Sequence, residues 1–168
     1  MLKLIERISG VIMKIEKLII NKLKELNYNL SCCESCTGGM IISTLIGVPG
    51  ASNVINESYV TYSNEAKCRI LGVDNKTIEK YNVESIEVAE EMVEGLSKVT
   101  KSNVCISVTG FAGGGKKLPT DGLCYYGIKI NDLLILEQVK VKGNRNQCRL
   151  RQTKHILNRL YNEIKGLS

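Results

Sequence analysis

The sequence lacks several things that common protein classes require. It has no tryptophan, one phenylalanine, one histidine and two prolines among its 168 residues. Its longest apolar stretches, such as residues 40–42 and 133–136, are far below the ~18 residues that a membrane-spanning helix needs. Residues 1–12 carry charges inside their apolar stretch and lack a small-residue cleavage site, so we expect no secretory signal. We therefore expect no contact with a membrane.

The composition is that of an ordinary globular domain. Hydrophobic residues make up 43% and charged residues 24% of the chain, which excludes wholesale disorder, collagen and a disulfide knot. The length favours one domain. We expect this domain to span residues 13–168, because Met13 opens a clean helical pattern. Residues 1–12 are then an N-terminal extension, or they follow an upstream start codon that the cell does not use.

Seven cysteines, an odd number, stand in apolar or motif-like contexts. This usage favours a reducing, cytoplasmic compartment. Cys33 and Cys36 form a C-x-x-C pattern, which has three readings: a redox pair, half of a zinc site, or buried thiols that pack a turn. Zinc takes about four ligands. No second C-x-x-C exists and His155 is distant in sequence, so we interpret the pattern as buried thiols.

The hydrophobic pattern predicts helices and strands that alternate, followed by a hairpin. We expect a three-layer α/β/α sandwich with a mixed sheet in a single domain. Sharp turns at 34–39 and 110–115 each follow a strand, which is where open α/β sheets bind ligands. The predicted helices are 13–26, 37–46, 65–71, 77–81, 85–101 and 144–164, and the predicted strands are 30–33, 54–62, 103–109, 122–130 and 133–141.

Ser35 is a candidate nucleophile on the first of these turns. Backbone N–H groups of residues 37–39 could face an oxyanion, although a serine or threonine before a helix is often only a cap. A serine nucleophile needs a base. Because His155 lies between Lys154 and the apolar pair Ile156–Leu157 in the last helix, we expect it to be a helix-surface or core residue. That leaves a lysine, a tyrosine or a carboxylate as the base. Lys67 and Tyr62 are candidates where a strand meets a helix, and the alternative is that Lys67 is a solvated lysine.

A glycine-rich loop starts at Gly110 and matches the pattern G-x-x-x-x-G-K. No Ser or Thr and no helix follows it, which argues against a nucleoside triphosphatase. The loop either lets the backbone approach a small ligand closely or is a flexible connector.

A cluster of basic residues suggests an anionic ligand. Residues 138–154 hold six basic and no acidic residues within a chain of net charge +6. Arg145 and Arg149 share a helix face there, forming either a phosphate or carboxylate site or a solvated basic face. Nucleic acid is disfavoured because no aromatic residue interleaves these positions.

Six segments of the chain stand in an order and with a wording that are unusual together. They are ESCTGG at 34–39, GVPGAS at 47–52, VTYSNEAK at 60–67, LGV at 71–73, VTGFAG at 108–113 and GNR at 143–145. In this colinear order they resemble the C-terminal domain of the CinA (competence-damage-inducible) family, which also occurs alone as nicotinamide mononucleotide deamidase. The resemblance covers residues 14–165 and departs from the family in three places. Cys33 stands where alanine is usual, Asn144 replaces the common aspartate, and the glycine loop at 110–122 is shorter, which bears on substrate identity more than on chemistry.

This resemblance implies hydrolysis of the carboxamide of nicotinamide mononucleotide to nicotinate mononucleotide and ammonia, in pyridine nucleotide salvage, with no metal and no cofactor. Ser35 matches the nucleophile, Lys67 the base and Tyr62 a proton-relay or positioning group. We expect a small-molecule substrate, no nucleic acid, and a homo-oligomer, in particular a dimer. The alternatives are a CinA-like binding domain that is inactive or differently specific, and a thiol redox protein. The expected substrate-binding residues are Thr37, Gly38, Gly39, Asn64, Thr109, Gly110, Arg145 and Arg149.

Overall fold

A mixed five-stranded sheet lies between two layers of helices in the part of the chain that the structure describes. The structure is a computed structural model, and it describes residues 14–113 and 118–168. Six α-helices and a short 3₁₀-helix accompany the sheet within these ranges. They are α1 (Ile15–Leu26), β1 (Leu30–Glu34), α2 (Met40–Ile46), a 3₁₀-helix (Ala51–Asn53), β2 (Tyr59–Val60), α3 (Asn64–Leu71), α4 (Asn75–Tyr81), α5 (Ile86–Thr100), β3 (Val104–Gly110), β4 (Leu123–Ile130), β5 (Leu133–Lys140) and α6 (Arg145–Ile164).

The strand order in the sheet is β2-β1-β3-β4-β5. Strand β1 is parallel to both β2 and β3, whereas β4 is antiparallel to its two neighbours, β3 and β5. The predicted mixed sheet in a single α/β domain is therefore confirmed. Because the three parallel strands all end at one edge of the sheet, the segments that follow them meet there.

Alternating strand residues divide the core between the two faces of the sheet, as the pleat requires. Cys32 and Ile106 pack against α1, α2 and α6 in the larger cluster. Cys33 and Cys105 pack against α3 and α5 on the other face. This arrangement is the three-layer sandwich that the sequence predicts.

Helix α5 and helix α3 come unusually close to each other. Gly95 lies in the middle of α5, and a Cβ atom built there would be 1.8 Å from the carbonyl oxygen of Leu71, the last residue of α3. Only glycine permits this approach. The contact fixes how closely α3 approaches α5. It therefore also fixes the positions of the α3 side chains at the end of the sheet where the parallel strands finish.

Two predicted elements differ from the structure. The helix expected from residue 37 begins at Met40, because residues 35–39 form a turn with Gly38 and Gly39 in the left-handed region. The strand expected over 54–62 is reduced to Tyr59–Val60 and an isolated bridge between Leu30 and Ile55. Contacts with residues remote in sequence hold residues 35–39 as a turn, and they are described below.

The N-terminal prediction falls outside what can be compared. The expected extension at 1–12 and Met13 lie outside the described residues, so the domain boundary stays a prediction. Within the described ranges, no helix has the length and apolar character needed to cross a membrane.

Candidate active site

Ser35 and Lys67 face each other at the carboxyl edge of the parallel strands. Ser35 follows β1 directly, and its backbone N–H donates to the carbonyl of Val108 on β3 at 3.0 Å. Lys67, one turn into α3, places its Nζ 3.1 Å from Ser35 Oγ. The same Nζ donates to the carbonyl of Thr61 at 2.8 Å, which orients the amine. The structure thus brings the predicted nucleophile and base into hydrogen-bond contact.

The environment of Lys67 favours its neutral form. Only 1% of the lysine is exposed, so the alternative of a solvated lysine is excluded. Burial lowers the pKa of Lys67 below its usual range, and the negative charge of Glu84 partly opposes this by raising the pKa. A neutral amine can accept the hydroxyl proton of Ser35, which a protonated one cannot.

Glu34 holds the turn that carries Ser35. Its carboxylate is fully buried, and it accepts from the backbone N–H groups of Gly39, Ile41 and Ile42 at 3.0, 3.0 and 2.8 Å. The hydroxyl of Thr37 donates to it as well, at 2.6 Å. The carboxylate therefore satisfies the free N–H groups at the start of α2 and meets the positive end of the helix dipole. Sequence reasoning assigned Glu34 no role, because its spacing is not that of an ordinary helix cap.

These bonds correct the expected oxyanion donors. The N–H of Gly39 is bound to Glu34, and the N–H of Gly38 donates to the carbonyl of Ser35 at 3.0 Å. Both groups are therefore engaged in the turn itself. Within the described ranges, no acceptor takes the N–H groups of Cys36 and Thr37, which directly follow the nucleophile. These two are the free donors nearest to Ser35.

A cavity of about 370 Å³ opens beside Ser35. Its walls come from all three parallel-strand ends and from the start of α6. It holds both signs of charge, since Arg145, Glu84 and Asp121 all line it. The described residues that line it are Ser35, Cys36, Tyr62, Glu84, Gly110, Phe111, Ala112, Gly113, Leu118, Asp121 and Arg145. The predicted loop residues 114–117 lie outside the described residues.

Tyr62 and Arg145 form one rim of this cavity. The guanidinium of Arg145 donates to the hydroxyl of Tyr62 at 3.0 Å and to the carbonyl of Gly113 at 3.2 Å. Tyr62 is 62% exposed and its hydroxyl contacts Arg145, not Lys67. Of the two roles expected for Tyr62, the geometry favours positioning over proton relay. Arg145 is the first residue of α6, whose N-cap Asn144 forms a capping box with Gln147.

Arg149 lies one turn further along α6 but serves a different purpose from Arg145. Its Nε and Nη2 donate to the carbonyl of Thr37 at 3.2 and 2.8 Å. The expectation that Arg149 binds substrate is therefore not supported, because its guanidinium already donates to residues 35–39, the turn that carries Ser35, which we call the nucleophile turn. The close approach of Arg149 favours glycine at position 38, because φ there is +60° and a Cβ would lie 3.1 Å from Arg149 Nη2.

Gln152 continues this face of α6, and sequence reasoning missed it. Its side chain is fully buried and its amide nitrogen donates to the carbonyls of Phe111 and Gly122 at 3.2 and 3.1 Å. Its amide oxygen lies 3.7 Å from the Sγ of Cys36 as acceptor. One side chain thus joins the nucleophile turn to both ends of the glycine loop.

Two expected substrate contacts lie elsewhere. The hydroxyl of Thr109 donates to the carbonyl of Val83 at 2.9 Å, and the residue is buried. Asn64 is the exposed first residue of α3. Neither residue is among the described residues that line the cavity. Gly110 does line it, and a Cβ there would be 2.5 Å from the Cα of Cys124.

The remaining candidates have structural positions. Cys33 and Cys36 are both buried, and they belong to core clusters on opposite faces of the sheet, which confirms the interpretation as packing thiols. Burial raises the pKa of the Cys33 thiol well above its usual value, so this thiol is unreactive. His155 lies on the exposed surface of α6, as expected, 3.1 Å from the hydroxyl of Tyr126.

The model of the CinA C-terminal domain matches residues 12–164. The chain belongs to the CinA family. A CinA-like protein of Fusobacterium nucleatum is 45% identical over 175 residues, covering 99% of this chain and 42% of the relative. A CinA-like protein of Petrotoga mobilis is 44% identical over 143 residues, covering 83% and 35%. The chain thus spans about two fifths of the length of these CinA relatives.

Solved CinA structures share the fold. The competence/damage inducible protein CihA from Agrobacterium tumefaciens superimposes with a TM-score of 0.82 at 31% identity, covering 87% of this chain and 93% of that one. The competence damage-inducible protein A from Klebsiella pneumoniae superimposes with a TM-score of 0.86 at 21% identity, covering 92% and 97%. At that identity the second likeness concerns the fold alone.

Proposed function

We propose that this CinA-family domain is a serine–lysine amidohydrolase that converts nicotinamide mononucleotide to nicotinate mononucleotide and ammonia. The observation that carries the proposal is the contact of 3.1 Å between Lys67 Nζ and Ser35 Oγ at the floor of a cavity. Buried lysine and serine in contact are the parts of an activated nucleophile. The motif resemblance supplies the substrate.

Acylation begins when Ser35 Oγ attacks the carboxamide carbon. Neutral Lys67 takes the hydroxyl proton, and the carbonyl oxygen becomes an oxyanion. The oxyanion donor that the geometry favours is the N–H of Cys36, because Cys36 follows Ser35 directly, lines the cavity and has no acceptor for this group within the described ranges. Lys67 then returns the proton to the amide nitrogen as the carbon–nitrogen bond breaks. Ammonia leaves and Ser35 carries the acyl group as an ester.

Deacylation repeats these steps with water. Neutral Lys67 accepts a proton from a water that attacks the ester carbon, and the proton passes to Ser35 Oγ as the ester bond breaks. Nicotinate mononucleotide is released as its carboxylate. The carbonyl of Thr61, which accepts from Lys67 Nζ at 2.8 Å, keeps the amine directed towards Oγ through both halves of the reaction.

Arg145 is the group that suits the phosphate. It lies on the cavity rim at the first position of a 20-residue helix, where the helix dipole favours an anion. A guanidinium presents paired donors that match phosphate oxygens. Its present acceptors, Tyr62 and Gly113, are neutral, so a phosphate would compete well for the same nitrogen atoms.

The test is ammonia release from nicotinamide mononucleotide, other pyridine nucleotides and simple amides. We expect the mononucleotide to be the preferred substrate. Ser35→Ala and Lys67→Ala should each lower kcat by roughly 10³-fold or more, as losses of acting groups do. Ser43→Ala in α2 and Lys76→Ala in α4 change exposed residues and should leave kcat unchanged. Full activity in Ser35→Ala would refute the mechanism, and ammonia from none of the compounds would indicate a binding domain.

A further inference from the structure

The cavity beside Ser35 contains a carboxylate that neither the fold nor the proposed acyl transfer uses. Glu84 directly precedes Ser85, the N-cap of α5, and is half-buried in the cavity wall. Within residues 14–113 and 118–168, no hydrogen-bond donor or cationic side chain pairs with its carboxylate. The neighbouring Ser85 caps α5 with its own hydroxyl, at 3.3 Å from the N–H of Val88, so Glu84 is not needed as a cap.

Glu84 is close to the reacting groups. Glu84 lines the same cavity as Ser35, and its negative charge raises the pKa of Lys67, the hydrogen-bond partner of Ser35, more than any other charge does. An unpaired carboxylate in a half-buried wall has lost part of its hydration. Because Glu84 lines the same cavity as Ser35, its charge acts on a substrate bound there. A ligand with positive charge at that point would restore the lost interaction.

The charges of the cavity lie on different walls. Arg145 on the rim provides the positive group, and Glu84 provides a negative group on the side of Lys67. Nicotinamide mononucleotide has the complementary arrangement, since its pyridinium ring is cationic and its phosphate is anionic. The carboxamide that reacts is attached to the cationic ring. A carboxylate near the reacting groups is therefore near the ring.

We propose that Glu84 binds the cationic pyridinium ring, so that the cavity selects N-substituted pyridinium carboxamides over neutral aromatic amides. This inference rests on the proposed function and goes further, because it assigns the discrimination between charged and neutral rings to one side chain. Asp121 lines the same cavity. It packs against Gly113, whose carbonyl accepts from Arg145, and so belongs to the rim and not to the floor.

The experiment compares two probes that differ in ring charge and in one N-methyl group. Nicotinamide is neutral, and 1-methylnicotinamide has the same ring and carboxamide with a permanent positive charge. Binding is measured by calorimetry on Ser35→Ala, which prevents turnover. We expect the cation to bind about tenfold more tightly than the neutral amide. Adding Glu84→Gln should abolish this preference, and adding Glu84→Asp, which keeps the charge, should retain most of it.

Two matched variants act as controls. Glu90→Gln removes the same charge from an exposed position on α5, and Asp121→Asn removes the other carboxylate of the cavity. Both should keep the preference for the cation. If Glu84→Gln does not fold, the salt dependence of the Ser35→Ala parent decides, because only the cation should lose affinity as salt rises.

Several results would overturn the inference: equal binding of the two probes to Ser35→Ala, no binding of either, a preference that survives Glu84→Gln, or one that disappears in Asp121→Asn. Failure of the proposed function gives a different result, in which the wild-type protein releases no ammonia from nicotinamide mononucleotide. A wild-type enzyme that hydrolyses the mononucleotide while Glu84→Gln still prefers the cation would refute this inference alone.

Discussion

At the scale of single residues, the site depends on two buried ionisable side chains with opposite requirements. Burial lowers the pKa of Lys67 and so favours its neutral form, whereas Glu34 is buried among donors that suit its charged form. Both lie within one residue or one contact of Ser35. The carboxylate of Glu34 thus holds the turn that follows Ser35, and the amine of Lys67 contacts the Ser35 hydroxyl whose proton we propose it accepts.

The pH profile should report the pKa of Lys67. Protonated Lys67 cannot act as a base, so kcat/KM should rise with pH as the proton is lost. Burial lowers this pKa, while Glu84 and the thiols of Cys33, Cys36 and Cys68 raise it. Glu84→Gln removes the largest of the raising charges, so the acid limb of kcat/KM should move to lower pH. Glu90→Gln should leave it in place, and a limb that moves to higher pH would contradict this assignment.

Glu34→Gln should destabilise the protein even though its shape is conserved. The amide has one acceptor oxygen, and its NH₂ group would face N–H donors of residues 39–42. A buried donor without an acceptor costs about 1–3 kcal/mol, which urea unfolding can measure. Glu79→Gln, at an exposed position of α4, is the control and should change the free energy of unfolding little. Equal stability of both variants would show that Glu34 does not hold the turn.

At the scale of elements, one face of α6 supports three parts of the site. Arg145 meets the rim, Arg149 the nucleophile turn and Gln152 the glycine loop, at positions i, i+4 and i+7. Such residues share a helix face because the α-helix has 3.6 residues per turn. A displacement of α6 would therefore disturb binding and catalysis together, whereas single substitutions on it should separate them.

The two arginines of α6 should have different kinetic effects. Arg145→Ala removes the proposed phosphate contact, so KM for the mononucleotide should rise about 30–150-fold, as for a loss of roughly 2–3 kcal/mol. Arg149→Ala releases the carbonyl of Thr37 and so loosens the nucleophile turn, which should lower kcat more than it raises KM. Free nicotinamide has no phosphate, so its turnover should respond to Arg149→Ala and not to Arg145→Ala. The reverse pattern would exchange the two roles.

At the scale of the whole molecule, the packing of α3 against α5 sets the position of α3, and α3 carries Lys67. Gly95→Ala would place a Cβ 1.8 Å from the carbonyl of Leu71, so α3 must shift away from α5. Overpacking of this kind costs about 1–3 kcal/mol. We expect a lower melting temperature together with a loss of kcat, because Lys67 moves relative to Ser35. Gly166→Ala, where nothing lies within 4 Å of the added atom, is the control.

Much of the architecture could be predicted from periodicity and turn signals. Segments whose structure is decided locally, such as α5 behind its Ser85 cap, came out within a residue or two. The errors cluster at the site. The start of α2 was misplaced because Glu34 and Arg149, remote from each other in sequence, hold residues 35–39 as a turn. Local patterns do not contain such contacts.

The site itself was predicted unevenly. Ser35 and Lys67 were recognised from a turn and a strand end, with the motif resemblance to fix their roles. Glu84 and Gln152 were missed because neither belongs to a motif, and a single polar residue in a helix or loop has no spacing that marks it. Their significance follows only from where the fold places them.

The antiparallel hairpin of β4 and β5 forms the outer side of the sheet, and its tip lies at the end opposite to the one where β1, β2 and β3 finish. Its tip at Asp132 is exposed, and the chain there makes a two-residue reversal that begins with Asn131 at φ 49°. A peptide tag inserted after Asp132 would lengthen a surface loop, which costs little in chain entropy. The hairpin is therefore a place where the protein can be immobilised or labelled for single-molecule work while the catalytic end stays unobstructed.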